Sequence, residues 1–372
     1  MKLASLGLTN FRNYRRLEME AGPGVNVLFG RNAAGKTNVL ESIFFLATSR
    51  SHRTHQDQEL VLWGEDAMAV RAVLDSGYGQ IQAEIRYQLD HRKQIRLGGS
   101  AVRITDLLGR VPVVLFAPDD LQMLKGSPAL RRRYLDLFLS QTHSGYFNAL
   151  QSYLRVITQR NGLLRQLREG GGSPGTLEVW DEQLLDYAAT IVAHRLDALE
   201  MIQERAREAQ AQLSEEREHL TLSYVFSPGG LPEGKEQVRE ALAAALRERR
   251  REELARAQTT VGPHRDDLAV LINGVEARSF GSQGQQRSAV LALKLAEMSY
   301  LRRQLGTAPV LLLDDVTSEL DGGRRGLLLD AVGREAQTFI TCTTLHDLDP
   351  RWLEASRLYQ VDAGEVRIHS ND

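Results

Sequence analysis

Cysteine is almost absent from this 372-residue chain: Cys342 is the only one, so no internal disulfide can form and no cysteine-based zinc site exists. That usage suits a reducing compartment. No window approaches the roughly 18 consecutive apolar residues of a membrane span, and the opening MKLASLGLTNFRNYRR lacks the layout of a secretory leader. A cytoplasmic protein with no membrane partner is expected. Aromatic residues make up only 6% and do not interleave with basic runs, so Phe11 and Tyr14 read as packing residues rather than base-stacking platforms. Charge of one sign is lacking too. The 46 cations and 48 anions leave a formal charge of −2, which by itself gives no hint of a polyanionic ligand. Lysine is scarce, contributing six of those 46 cations.

What remains is an ordinary globular composition, 42% hydrophobic and 25% charged, with enough chain for two domains. Short apolar runs (LASLGLTNF, VNVLF, AMAVRAVL, QIQAEIRYQL, VPVVLF) predict strands up to Pro118. From about Asp119 to Leu213 the period becomes helical, broken by EGGGSPG at 169–175. Strand character returns at HLTLSYVFS and DLAVLING. Then come a loop at 278–286, a helix over Arg287–Leu305, the strand PVLLLDD, another helix and the strand TFITCT. The expected fold is α/β: a head of mixed sheet and helices, residues 1–118 and 219–372, split by a compact helical insert at 119–218.

Residues 30–37, GRNAAGKT, satisfy G-x-x-x-x-G-K-[ST] between an apolar strand and a helical stretch. Gly30 and Gly35 let the backbone curl so that N–H groups of Arg31, Asn32, Ala33, Ala34, Lys36, Thr37 and Asn38 gather around phosphate oxygens at the positive end of the helix. Lys36 supplies a compact charge for the β- and γ-phosphates, and the Thr37 hydroxyl can ligate Mg²⁺. The pattern makes ATP and Mg²⁺ the expected ligands. PVLLLDD is a buried strand ending in two carboxylates, where α/β sheets bind ligands. Asp314 is the expected Mg²⁺-associated carboxylate. Asp315 is placed to orient or deprotonate an attacking water. Upstream, FGSQGQQRSAVLALKLAE sets a Gly/Ser/Gln loop at the start of a long helix, a second anion site that a simple P-loop kinase does not require.

GRNAAGKTNVLE, SQGQQR and LLLDDVTSELD, in that order, resemble the ATP-binding-cassette heads of the SMC-like branch. NFRNY, FAPDDLQMLKGSPALRRRYLD and VGPHRDDLAVLING are similar to its bacterial recombination mediators. The match spans most of the chain, with little of it between about 140 and 215. The resemblance implies an ATP-dependent homodimer in which Ser282, Gly284 and Gln285 of one subunit contact the γ-phosphate held by the other. Lys36 and Thr37 would hold phosphate and Mg²⁺, Asp314 would support the metal, and Asp315 would be the catalytic carboxylate. Ser318 to Asp321 would form the loop joining the two sites. It further implies a weak, DNA-stimulated ATPase without nuclease activity. Its partners would be single-stranded and gapped or junction duplex DNA and other recombination mediator proteins, in DNA repair, replication restart and the SOS response. Three departures stand out. Asp315 occupies a position where many cassette ATPases have glutamate. Thr343 and Thr344 fall where a switch histidine is usual, with His346 slightly late. No glutamine clearly follows VPVVLF, Gln122 being the nearest. A P-loop kinase, or another ATP-consuming enzyme without a clamp, is the alternative reading.

Segment counts qualify the near-neutral total. Between Lys125 and Arg168 the net charge is +7, whereas from Val310 onward it is −6. Lys125, Arg131, Arg132, Arg133, Arg155 and Arg160 are therefore candidate DNA contacts. From composition alone, a solvated helix face, or arginines paired with the acidic helices at 178–218, is an equal alternative; the resemblance favours DNA. Arg50, His52, Arg53 and His55 form a second basic cluster, expected to be a surface or DNA-facing loop rather than a metal site.

Overall fold

The computed structural model describes residues 1–315, 324–326, 328, 336–348, 350–353 and 356–369. Ser318 and Asp321 lie outside them. The chain begins with strands β1 (Lys2–Phe11), β2 (Tyr14–Glu20) and β3 (Val25–Phe29), followed by helix α1 (Lys36–Thr48). Then come β4 (Ala67–Asp75), β5 (Gln80–Gln88), β6 (Gln94–Leu97), β7 (Ser100–Ala101), α2 (Ile104–Leu107) and β8 (Val113–Phe116). A helical stretch follows: α3 (Leu121–Lys125), α4 (Pro128–Thr142), α5 (Ser144–Arg168) and α6 (Pro174–Leu213). The order continues β9 (Leu220–Val225), α7 (Gly234–Glu248), α8 (Arg250–Arg256), β10 (Asp267–Ile272), β11 (Val275–Glu276), α9 (Ala277–Phe280) and α10 (Gln283–Leu305). The final strands are β12 (Val310–Leu313), β13 (Thr338–Cys342), β14 (Arg357–Asp362) and β15 (Glu365–His369).

Two compact units result, Met1–Asp120 with Leu293–Asp372, and Leu121–Ala292. In the first, β3, β8, β12, β13 and β14 pair in parallel within a six-stranded sheet ordered β15-β14-β3-β13-β12-β8. Its inner strands β12 and β13 are buried at every position, as parallel strands covered on both faces are, and are apolar apart from Thr338 and Thr341. The antiparallel sheet β2-β1-β4-β5-β6-β7 instead mixes buried positions with partly or fully exposed ones. Gln337, 2% exposed, joins the two sheets: its amide donates to the Leu3 and Gly22 carbonyls at 2.7 Å and accepts the Leu3 N–H at 2.8 Å. Helix α1 is buried along nearly its whole length, which its run of Val, Leu, Ile and Phe demands.

In the second unit α5 and α6 form an antiparallel hairpin across the expected break. The pairs Tyr146–Arg195, Arg160–Asp181 and the cluster of Leu164 with Leu177 fix its direction. The boundary between the two units differs from the motif-based division into head and insert. Residues 219–292 group with 121–218, because β9 pairs with β10 and packs on α6, and α4 packs on β10. The expected loop at 278–286 is also shorter. Helix α9 occupies 277–280 and α10 starts at Gln283, four residues before the expected Arg287.

Candidate nucleotide site

The glycine loop sits at the carboxyl end of β3, and its glycines have no substitute. Gly30 has φ of 153°, and a Cβ there would meet the Val361 carbonyl oxygen at 2.2 Å. Gly35, at φ of 117°, caps the start of α1; its Cβ would meet Asn13 at 2.6 Å and the Tyr14 hydroxyl at 2.7 Å. NFRNY thus serves the loop directly. Asn13 donates to the Ala34 carbonyl at 3.1 Å, Tyr14 to the Gly35 carbonyl at 3.0 Å, and Asn38 to Asn13 at 2.8 Å. Tyr14 is fully buried, as expected, and it also carries this polar contact. Beside it Arg12 grips Glu41 through two hydrogen bonds, 2.8 and 2.7 Å, while Ser51 donates to the same carboxylate at 2.5 Å. Burial pushes the Glu41 carboxyl up, but the hydrogen bonds from Arg12 and Ser51 outweigh it and hold the group below its ordinary range. Arg53 completes the set, 2.8 Å from Asn38 and 3.4 Å from Glu41.

Lys36 donates to the Gly30 and Arg31 carbonyls at 2.6 and 2.9 Å, which keeps its ammonium over the loop. Burial lowers its pKa, and the charges of Asp315 and Asp314 oppose that shift. Thr37 donates its hydroxyl to Asp314 at 2.8 Å, across 277 residues of sequence. Sheet order makes this possible: β13 lies between β3 and β12, so the ends of these three strands adjoin. Thr341 on β13 is the residue the sequence reading missed. Its hydroxyl donates to Asp314 at 2.8 Å and accepts the Asp315 N–H at 2.9 Å, holding both acids. Burial raises the Asp314 pKa, partly offset by the hydrogen bonds from Thr37 and Thr341. Among the described residues no group of three or more His, Cys, Asp or Glu can cage a metal. A hydroxyl and a desolvated carboxylate, both oxygen donors, instead suit a cation that keeps waters and phosphate oxygens as its remaining ligands.

Opposite Asn32, Thr343 lies 3.5 Å away, whereas His346 is exposed on a short turn. Gln122 is exposed on α3. In the second unit, the S-x-G-Q segment opens α10 as a capping box. Ser282 Oγ accepts the Gln285 N–H at 3.3 Å, and Gln285 Oε1 accepts the Ser282 N–H at 2.9 Å. Ser282 is exposed and Gly284 lies in the first turn.

The candidate DNA contacts separate sharply. Arg131 is 4% exposed and grips Asp267 at 2.7 and 2.8 Å. Arg160 is 0% exposed, bonded to Asp181 at 2.8 Å, Thr259 at 2.8 Å and Glu253 at 2.5 Å. Neither can reach a phosphate, because leaving its carboxylates would strand buried charge; both readings are corrected to structural ion pairs. Arg132 is half-buried and donates to the Asp266 carbonyl at 2.7 Å. Arg133 is likewise half-buried, while Lys125 and Arg155 are exposed.

A glycine loop on one parallel strand, an acid pair on another and a hydroxyl-bearing strand between them define an ATP-binding-cassette ATPase head. The family described as RecF/RecN/SMC N terminal domain matches residues 2–365. Relatives named DNA replication and repair protein RecF are 47% identical in Symbiobacterium thermophilum, covering 98% of both chains, and 44% identical in Heliobacterium modesticaldum, covering 98% of this chain and 99% of that one. A solved structure of the recombination mediator protein RecF with ATP superposes with a TM-score of 0.92 at 34% identity, over 99% of this chain and 97% of that one. An Smc head bound to the C-winged helix domain of ScpA shares the fold, with a TM-score of 0.55 at 15% identity, covering 99% of this chain and 97% of that one. The chain belongs to the RecF/RecN/SMC N-terminal domain family, in its RecF branch.

Proposed function

We propose that this chain is an ATP-gated DNA-binding clamp of DNA repair and recombination. It dimerises on DNA near single-strand gaps and junctions and assists recombinase loading, replication restart and the SOS response. The observation that carries the reading is the Thr37–Asp314 contact of 2.8 Å, which unites the glycine loop with the acidic strand. ATP lies along Gly30–Asn38, with Lys36 against its outer phosphates. Thr37 and Asp314 are the residues that would hold Mg²⁺, whose role is to neutralise phosphate charge. Asp315 orients the attacking water and takes its proton. Its carboxylate is one methylene shorter than glutamate, which supports slow hydrolysis.

Ser282, Gly284 and Gln285 act in trans, on the nucleotide of the second subunit, and Ser318 and Asp321 belong to the loop joining the sites. For this the capping box must open, since its serine and glutamine satisfy each other within one chain. Losing an N-cap costs about 1 kcal/mol, which a charge-assisted bond to phosphate offsets. Residues 1–118 and 219–372 form the head and 119–218 the arm. RecR and RecO are the expected protein partners, by likeness to a structure described within the RecFOR pathway. The work is cytoplasmic.

The test is affinity for single-stranded, duplex and gapped DNA at two salt concentrations, with and without ATP and Mg²⁺. ATP should tighten binding and preserve a steep salt slope. Indifference to ATP contradicts the gate, and absence of DNA binding contradicts the clamp.

A further inference from the structure

Helices α5 and α6 treat their polar side chains in opposite ways on two faces. Toward β9, α8 and the 259–267 segment the buried arginines are fully engaged. Arg195, 2% exposed, donates to Tyr146, Tyr224, the Pro263 carbonyl and Asp136. On another face the two helices border an open groove of about 640 Å³, within the size range of small-ligand clefts. Gln151, Arg155 and Gln159 line it from α5, and Trp180, Gln183 and Tyr187 from α6. Spacings of four along α5, and of three and four along α6, align each set on one helix face.

None of these six side chains has a hydrogen-bond or ion-pair partner among the described residues. Among the described residues no carboxylate lines the groove. The acids beside it on α6, Glu182 and Asp186, are both taken by Arg239, the latter at 3.0 Å. Trp180 and Tyr187 are half-buried, held by the hairpin yet open to the groove.

We propose that this groove binds unstacked bases of single-stranded DNA. Trp180 and Tyr187 offer flat faces for stacking, the three glutamine amides offer paired donors and acceptors to base edges, and Arg155 meets the backbone phosphate. A duplex keeps its bases stacked on one another and cannot use the aromatic faces. A peptide helix would call for an apolar stripe on both walls, and the α5 wall is mainly Gln, Ser, Arg and Thr. The inference rests on the DNA-binding reading above and gives it a location for the single strand.

The experiment uses the full chain with ATP and Mg²⁺, a labelled oligothymidylate and a blunt duplex of equal length, read by fluorescence anisotropy. Trp180→Ala should weaken oligothymidylate binding about tenfold or more, as loss of a stacked base does, and change duplex binding by less than about twofold. Trp180→Phe should recover most of the loss. Arg155→Ala, at an exposed position that folding does not need, should lower the salt slope on the single strand by about one phosphate's worth. Unchanged single-strand affinity in both Trp180→Ala and Arg155→Ala overturns the proposal. So do equal losses on both DNAs, or the loss of a protein partner with DNA binding intact. If the wild-type chain binds no DNA of any kind, the clamp reading fails first and the groove with it.

Discussion

Replacing Arg160 with methionine separates a structural arginine from a DNA-binding one. Arg160 is 0% exposed and lies between Asp181 and Glu253. Without it, Asp181 keeps Arg250 at 2.6 Å, but Glu253, also fully buried, keeps among the described residues only the Thr260 N–H at 2.8 Å and the Thr260 hydroxyl at 3.4 Å. The stranded charge is therefore Glu253. Removing one member of a buried pair costs about 3–5 kcal/mol, so urea unfolding should shift by that amount. Adding Glu253→Gln should return a large part of it, because a neutral amide has far less desolvation to lose. DNA affinity of the folded protein and its salt slope should stay at wild-type values. A variant within about 1 kcal/mol of wild type, with a salt slope reduced by about one, would refute the assignment and restore Arg160 as a phosphate contact.

Further outcomes are expected in two areas, the nucleotide site and the pH profile. Lys36→Arg should weaken or abolish ATP hydrolysis, because a planar fork replaces the slim ammonium donating to Gly30 and Arg31; normal turnover would contradict the role. Wild-type turnover itself should stay below about 10 s⁻¹, a value typical of efficient enzymes. The second concerns pH. His264 Nε2 donates to the Thr259 carbonyl at 3.1 Å, so Nδ1 accepts the Tyr153 hydroxyl at 2.5 Å, and the neutral ring is saturated. Burial lowers its pKa from 6.5 to about 4. The unfolded chain therefore takes up a proton first as pH falls. The histidine's contribution, full above about pH 6.5, is lost toward pH 4, to the extent of about 3 kcal/mol. Glu297 runs oppositely: burial raises it to about 7, so its contribution is full below about pH 4.5 and lost as pH rises through 7. The two slopes oppose in the wild type. The stability difference between wild type and His264→Gln isolates the first, and a flat difference curve would contradict it.

Which parts of this were legible in the sequence follows from how local each interaction is. The glycine loop and the acidic strand are contiguous motifs whose chemistry resides in their own residues, and flanking apolar runs place them at strand ends. Thr341, 27 residues from Asp314, escaped because β13 and β12 adjoin only through sheet order; Asn13 and Tyr14 escaped because they reach the loop from a different sheet, 21 residues from the carbonyls they support. Arg131 and Arg160 were misplaced for the same reason. A segment charge of +7 records cations but not the carboxylates at 267, 181 and 253 that neutralise them from elsewhere in the chain. The capping box, by contrast, is written plainly as Ser282 followed three residues later by Gln285. The α5–α6 groove was hidden because its aromatics lie on α6 and its arginine on α5, so no single window shows them interleaved.

Sedimentation mass at micromolar concentration, with and without ATP and Mg²⁺, tests the central claim most directly, taken beside Ser282→Arg. The wild type should double its mass with ATP. The variant should bind ATP yet remain monomeric, because in the proposed clamp the exposed serine acts on the neighbour's nucleotide. A wild type that stays monomeric with ATP, or a variant that dimerises as well as the wild type, would contradict the clamp.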